Sequence, residues 1–151
     1  MKIAFFGHAN YLSKEEDGKT VILLIEQKAK GERVDFYLGG YGSFSSFGYS
    51  CAINYRKKYA ETRIFFVTPY LGRWLDESRA YLTAKYDDIL FPPIENVPPR
   101  LAILRRNEWM IEQADFIILY VDRNYGGAYR AMRYCIRRKK EYKNIGSFIA
   151  I

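Results

Sequence analysis

Two glycine-rich segments and a single histidine carry the residue types in this chain best suited to holding a ligand. Gly39-Gly40-Tyr41-Gly42-Ser43 directly follows a β-branched and aromatic run, and Gly126-Gly127-Ala128 lies just beyond another, which ends at Asp122. A glycine loop between a strand and a helix suits phosphate: backbone amides can approach closely, and the helix amino terminus adds unpaired donors and a positive dipole. The Ser43 hydroxyl adds a donor, and Arg106, beside Asn107, offers a forked donor to phosphate or carboxylate. Each feature also has a reading without a ligand, the loops as tight strand-to-helix turns and the arginines as a solvated helix face. Neither loop matches the dinucleotide-binding fingerprint or the P-loop. His8, the only histidine, stands where a ring could hydrogen-bond a ligand or move a proton, or be satisfied by backbone. Asp122 is the best-placed carboxylate for catalysis, and a strand-end aspartate equally suits a turn cap. No cluster at metal-ligand spacing accompanies His8, so neither a metal nor a cofactor is expected.

These loops need elements to aim them, and the apolar pattern supplies them. Ile3 to Phe6 reads as a buried first strand running into Gly7. Ser13 to Glu16 fits a capping box and Gly31 a left-handed stop, giving a helix over about 14–30. The strand 34–38 leads into the glycine loop and a helix over 44–59, with Arg56, Lys57 and Lys58 at its positive-favouring carboxyl end. A strand over 63–68 stops at Pro69, and a helix over 70–86 precedes a strand at 88–91. Pro98-Pro99 introduces a helix over 101–114. The strongest strand, 116–121, is followed by a basic helix of about 127–140 and a final strand near 146–149. Such alternation predicts one Rossmann-like, three-layer α/β/α domain over residues 1–151 with a mainly parallel sheet. Ligands in such sheets bind at the carboxyl ends of the strands, where Gly7-His8, Gly39 to Ser43, Thr68-Pro69 and Asp122 to Ala128 all land.

Composition agrees with a globular domain: 49% of the 151 residues are apolar, 27% are charged, and no repeat or low-complexity tract occurs. The apolar runs are too short to span a bilayer, and the amino terminus reads as a strand, not as a secretory leader. Cys51 and Cys135 fall on expected helices without framework spacing, so free thiols and a cytoplasmic setting are expected. The net charge of +7 is local, because residues 123–143 hold eight basic residues against Glu141 while the remainder balances at sixteen of each sign. On the basic helix Arg130, Arg133, Arg137 and Lys140 form one stripe opposite Ala128, Met132, Cys135 and Ile136, the usual pattern of a surface helix covering a sheet. Nucleic acid therefore ranks below a small ligand as the expected partner.

With Phe6-Gly7-His8, the glycine loop, Arg106-Asn107 with Met110, the run Ala114 to Ile118, and Gly126-Gly127-Ala128, the chain resembles the SLOG superfamily of Rossmann-like domains, closest to its short bacterial YoqJ-type proteins. That superfamily includes LOG phosphoribohydrolases, DprA proteins that bind single-stranded DNA, and sensor domains for nucleotide-derived signals. The resemblance implies a nucleotide-like ligand and a homodimer. Arg106 and Met110 match the LOG pattern, whose Pro-Gly-Gly-x-Gly-Thr loop and following glutamate are missing from both glycine segments here. Glycosidic cleavage through an oxocarbenium-like state wants such a carboxylate. The leading expectation is a domain binding a nucleotide-like or phosphate-bearing small ligand, as a sensor or an N-glycosidase. A single-strand nucleic-acid binder is the alternative, and a protein-binding domain with a vestigial pocket is a third reading.

Overall fold

The computed structural model describes residues 1–150. Strands β1 (Lys2–Gly7), β2 (Asp35–Leu38), β3 (Arg63–Val67), β4 (Asp88–Leu90), β5 (Phe116–Tyr120) and β6 (Tyr142–Asn144) alternate with helices α1 (Glu15–Ala29), α2 (Gly42–Lys58), α3 (Arg73–Lys85), α4 (Ala102–Gln113) and α5 (Gly127–Arg137), and a 3₁₀ turn at Pro99–Leu101 leads into α4. The six strands form one sheet in the order β4-β3-β2-β1-β5-β6, and every pairing is parallel.

The two-residue period of the strands sorts the helices onto two faces. Ile3 and Phe5 of β1, with Phe116 and Ile118 of β5, face one core containing Val21 and Ile25 of α1, Phe44 and Phe47 of α2, and Leu75 and Leu82 of α3. The alternate residues Ala4, Phe6, Ile117 and Leu119 face a second core with Met110 and Ile111 of α4 and Met132 and Cys135 of α5. Both sheet faces are therefore covered, which is why β1 and β5 read as continuous apolar runs. Among the described residues no helix is long and apolar enough to cross a membrane. Both cysteines are free and buried, and burial pushes each thiol up to about 12.

Winding from β1 proceeds outward through β2, β3 and β4, and the α4 connection then returns the chain to the other side of β1. β1 and β5 are thus adjacent strands whose following helices leave in opposite directions. Their register pairs Gly7 with Tyr120, bringing the two carboxyl ends level. The crevice that such a reversal opens is the usual ligand position in doubly wound sheets.

Two local expectations differ from the structure. The last strand lies at 142–144, not near 146–149, because the Asn144 side chain ties down the chain beyond it. Its amide donates to the Val121 and Phe148 carbonyls, and its oxygen accepts from the Val121 and Gly146 amides. Gly146 then lies so close to Val121 that a Cβ would sit 2.5 Å from the Val121 oxygen. The Ser13 capping box does not form: α1 starts after Lys14 without a side-chain cap, and Glu15, Glu16 and Asp17 in its first turn complement the dipole instead. A Gly-Lys-Thr triplet of the P-loop kind does occur, at Gly18 to Thr20, but it lies inside α1 and presents no phosphate loop.

Candidate functional site

The crevice at the ends of β1 and β5 is a cleft of about 460 Å³. Its walls are Gly7 to Asn10 after β1, Gly39 and Tyr41 after β2, Ser45 of α2, Ile103, Arg106 and Asn107 of α4, and Arg123 with Gly126, Gly127 and Ala128 around the start of α5. No aspartate or glutamate among the described residues lines it.

Arg106 dominates the cleft chemically. Ala102, Arg106 and Met110 form a buried i, i+4, i+8 stripe of α4, so the arginine occupies a core position, 3% exposed. Its Nη1 donates to the Val67 carbonyl at 2.7 Å and the Gly39 carbonyl at 3.1 Å, and its Nε donates to Asn107 Oδ1 at 2.9 Å. Nη2 has no protein acceptor, and no carboxylate among the described residues pairs with the group. Burial lowers its pKa to about 10, which leaves it cationic at neutral pH. A buried cation without a counter-ion is costly, and an anion entering the cleft would offset that cost.

The glycines of the loop after β2 each have a packing reason of their own. A Cβ on Gly39 would lie 3.0 Å from the Arg106 guanidinium, so this glycine makes room for the cation. Gly40 (φ +77°) abuts the Phe66 ring, and Gly42 (φ +81°) abuts the Ala9 backbone. The Ser43 amide donates to the Ala9 carbonyl at 3.0 Å, and its hydroxyl contacts the Ala9 and Tyr11 carbonyls at 2.8 and 2.5 Å. The Gly40 amide donates to Ser45 Oγ. Gly40, Gly42 and Ser43 accordingly stand outside the cleft lining and tie α2 to the loop after β1.

The start of α5 is open by contrast. Gly126 (φ +92°) caps it without a side-chain partner, and nothing lies within 4 Å of a Cβ at Gly126 or Gly127. The first intrahelical amide bond is made by Arg130 to the Gly126 carbonyl, so the amides of Gly127 to Tyr129 remain free of helical partners beside the cleft. Unpaired donors, the helix dipole and Arg106 together make an electropositive chamber suited to one phosphate group.

His8 and Asp122 connect the two strand ends. The Asp122 amide donates to His8 Nε2 at 3.1 Å, which assigns the ring proton to Nδ1. Burial, then the nearby Arg123 charge, holds the imidazole below its usual pKa, so it is neutral at pH 7. The Asp122 carboxylate is bound by Arg123 Nε at 2.6 Å, which keeps it ionised and below the usual carboxylate range. It lies outside the cleft lining. Both residues have structural partners, and neither sits as a free acid or base over the cleft.

A groove of about 270 Å³ between α4 and α5 adjoins the cleft, with Asn107 and Gly127 lining both. Arg130, Arg133 and Arg137 line this groove together with Glu108, whose carboxylate is paired with Arg105, and none of these three arginines is ion-paired among the described residues. Lys140, assigned from the sequence to the same stripe, instead donates to the Glu112 and Ala114 carbonyls and closes the end of α4. The basic stripe therefore lines a groove beside the cleft as well as covering the sheet. Sequence reasoning missed this adjacency, and counted Arg123 only as part of the basic segment.

No family model matches the chain, and no curated protein matches it. Among solved structures it is similar to DNA processing protein A from Helicobacter pylori, described for its single-stranded DNA binding mode, with a TM-score of 0.59 and 17% identity over 94% of this chain. The match covers 63% of that protein's chain, so the present chain spans less than two thirds of its length. The likeness establishes a shared Rossmann-like fold. It also corrects the lower rank given to nucleic acid among expected partners, since a protein of this fold is known for just such a ligand.

Proposed function

We propose that this chain binds single-stranded nucleic acid, seating one phosphate in the cleft at Arg106 and the start of α5 and running the neighbouring backbone along Arg130, Arg133 and Arg137. The observation that carries this reading is that the two cavities adjoin, with Asn107 and Gly127 lining both. A pocket for a free mononucleotide needs only the Arg106 cleft, whereas the unpaired arginines of the α4–α5 groove extend the positive surface by the further phosphates of a strand. The fold shared with DNA processing protein A adds support. On this reading the chain is a SLOG-type domain, the cleft holds one nucleotide unit of the strand, and Gly39, Tyr41, Arg106, Asn107, Gly126, Gly127 and Ala128 contact it. Binding without cleavage fits a cleft that no carboxylate among the described residues lines, with Asp122 held by Arg123 outside it.

A length series tests this reading. Anisotropy titrations with thymidylate chains of increasing length should show affinity rising up to the number of phosphates that spans cleft and groove, and falling steeply with salt. Equal affinity for thymidine monophosphate and for longer chains would assign the site to a small ligand instead.

A further inference from the structure

A third cavity, of about 190 Å³, lies on the other side of the Gly39–Ser43 loop and shares Tyr41 with the Arg106 cleft. Its wall is one stripe of α3: Trp74, Ser78, Tyr81, Leu82 and Lys85 recur at i, i+4, i+7, i+8 and i+11, all on one helix face. Its floor is aromatic as well, since Phe66 and Tyr86 are buried with ring centroids 5.3 Å apart. Trp74, at a centroid distance of 6.3 Å from Phe66, is 45% exposed and Tyr81 is 66% exposed. Large aromatic rings left half in water beside a preformed cavity are surface that a planar apolar ligand would cover.

The charge there has one sign. Lys85 Nζ lies 4.3 Å from the Tyr49 ring centroid and within 6 Å of those of Tyr81 and Tyr86, and it has no carboxylate partner among the described residues. Gly40 separates this cavity from the cleft. Its φ of +77° and the Phe66 ring 2.2 Å from a Cβ position exclude any side chain at that point.

We propose that this cavity is a nucleobase subsite, taking the base of a nucleotide adjacent to the one whose phosphate sits at Arg106. The inference rests on the single-strand reading above and adds a direction to it: the strand crosses the glycine loop over Tyr41 on one side of the cleft and follows α5 on the other. The aromatic walls stack the base with little discrimination between purine and pyrimidine, Ser78 offers a hydroxyl to its edge, and Lys85 meets the flanking phosphate.

The test compares wild type, Trp74→Ala/Tyr81→Ala and the conservative Trp74→Phe/Tyr81→Phe, using hexathymidylate, an abasic chain of the same length and thymidine monophosphate. The alanine pair should weaken hexathymidylate about tenfold or more, as loss of stacking on one base does. It should leave the abasic chain and the monophosphate unchanged, and the phenylalanine pair should retain most of the affinity. The inference is overturned if the alanine pair binds hexathymidylate like wild type while Arg106→Met has lost it, an outcome that leaves the single-strand reading standing. It is overturned too if the alanine pair, with the wild type's unfolding midpoint, weakens all three ligands alike, because a base subsite for the adjacent nucleotide acts on neither the abasic chain nor the monophosphate. Failure of the wild type to bind hexathymidylate would remove both readings.

Discussion

Replacing Arg106 by methionine, which has similar reach and no charge, separates a residue kept for a ligand from one kept for the fold. Holding the guanidinium charged although burial lowers its pKa to about 10 costs the folded protein on the order of 3 kcal/mol at neutral pH. Methionine removes that cost and forfeits the hydrogen bonds to the Gly39 and Val67 carbonyls, worth together about 3 kcal/mol for a charged donor. The two effects oppose each other, so denaturant unfolding of Arg106→Met should give a stability within about 1 kcal/mol of wild type. Binding has no such compensation. Loss of a buried charged donor to phosphate costs about 3 kcal/mol or more, which is roughly a hundredfold in Kd by anisotropy with a thymidylate chain. The pH dependence follows with its sign fixed. Because the folded pKa is the lower one, this group's destabilisation is complete below about pH 10 and fades as the pH rises above it, and the methionine variant lacks that rise. A variant that unfolds several kcal/mol more easily yet binds the strand normally would show Arg106 to be a structural tie and refute the reasoning.

Reversing Arg130, Arg133 and Arg137 to glutamate should weaken oligonucleotide binding and lower the slope of log affinity against log salt by about 2, while thymidine monophosphate binding persists; salt titrations of both ligands check this. Gly42→Ala places a Cβ 2.7 Å from the Ala9 Cα at a φ of +81° and should cost about 2 kcal/mol or more by denaturation, against about 1 kcal/mol for Gly126→Ala, which is strained but opens onto free space. The folded-state pKa of His8 lies below 6.5, so the protein should lose stability as the pH falls through 6.5 towards that lower value, the unfolded chain taking up the proton first. His8→Gln should flatten that portion of the stability–pH curve relative to wild type.

The layer order was legible because each strand is a short apolar run stopped by glycine, proline or aspartate, and each helix shows a 3.6-residue stripe. The final strand was not, since apolar Phe148 and Ile149 outweighed Tyr142-Lys143-Asn144, and the Asn144 hydrogen bonds that turn the chain leave no periodic trace. At the site, glycine content pointed to the sheet edge where the cleft lies but could not distribute roles. Ser43 is engaged by Ala9 and Tyr11, whereas the start of α5 is free, a difference created by residues some thirty positions away in the chain. Two signals were present and unread. Arg106 stands between Ala102 and Met110 in a core stripe, and Trp74, Ser78, Tyr81 and Lys85 share one face of a helix assigned only in outline. The extent of the cationic groove depends on how α4 packs against α5, which no local pattern encodes.

The central claim is tested most directly by backbone amide NMR of the labelled protein titrated first with thymidine monophosphate and then with a longer thymidylate chain. The monophosphate should shift Gly39, Asn107 and Gly126 to Ala128 alone, and the chain should extend the shifts along α5 through Arg137. Shifts clustered on the α1–α2 face, or none in the cleft with either ligand, would contradict the account.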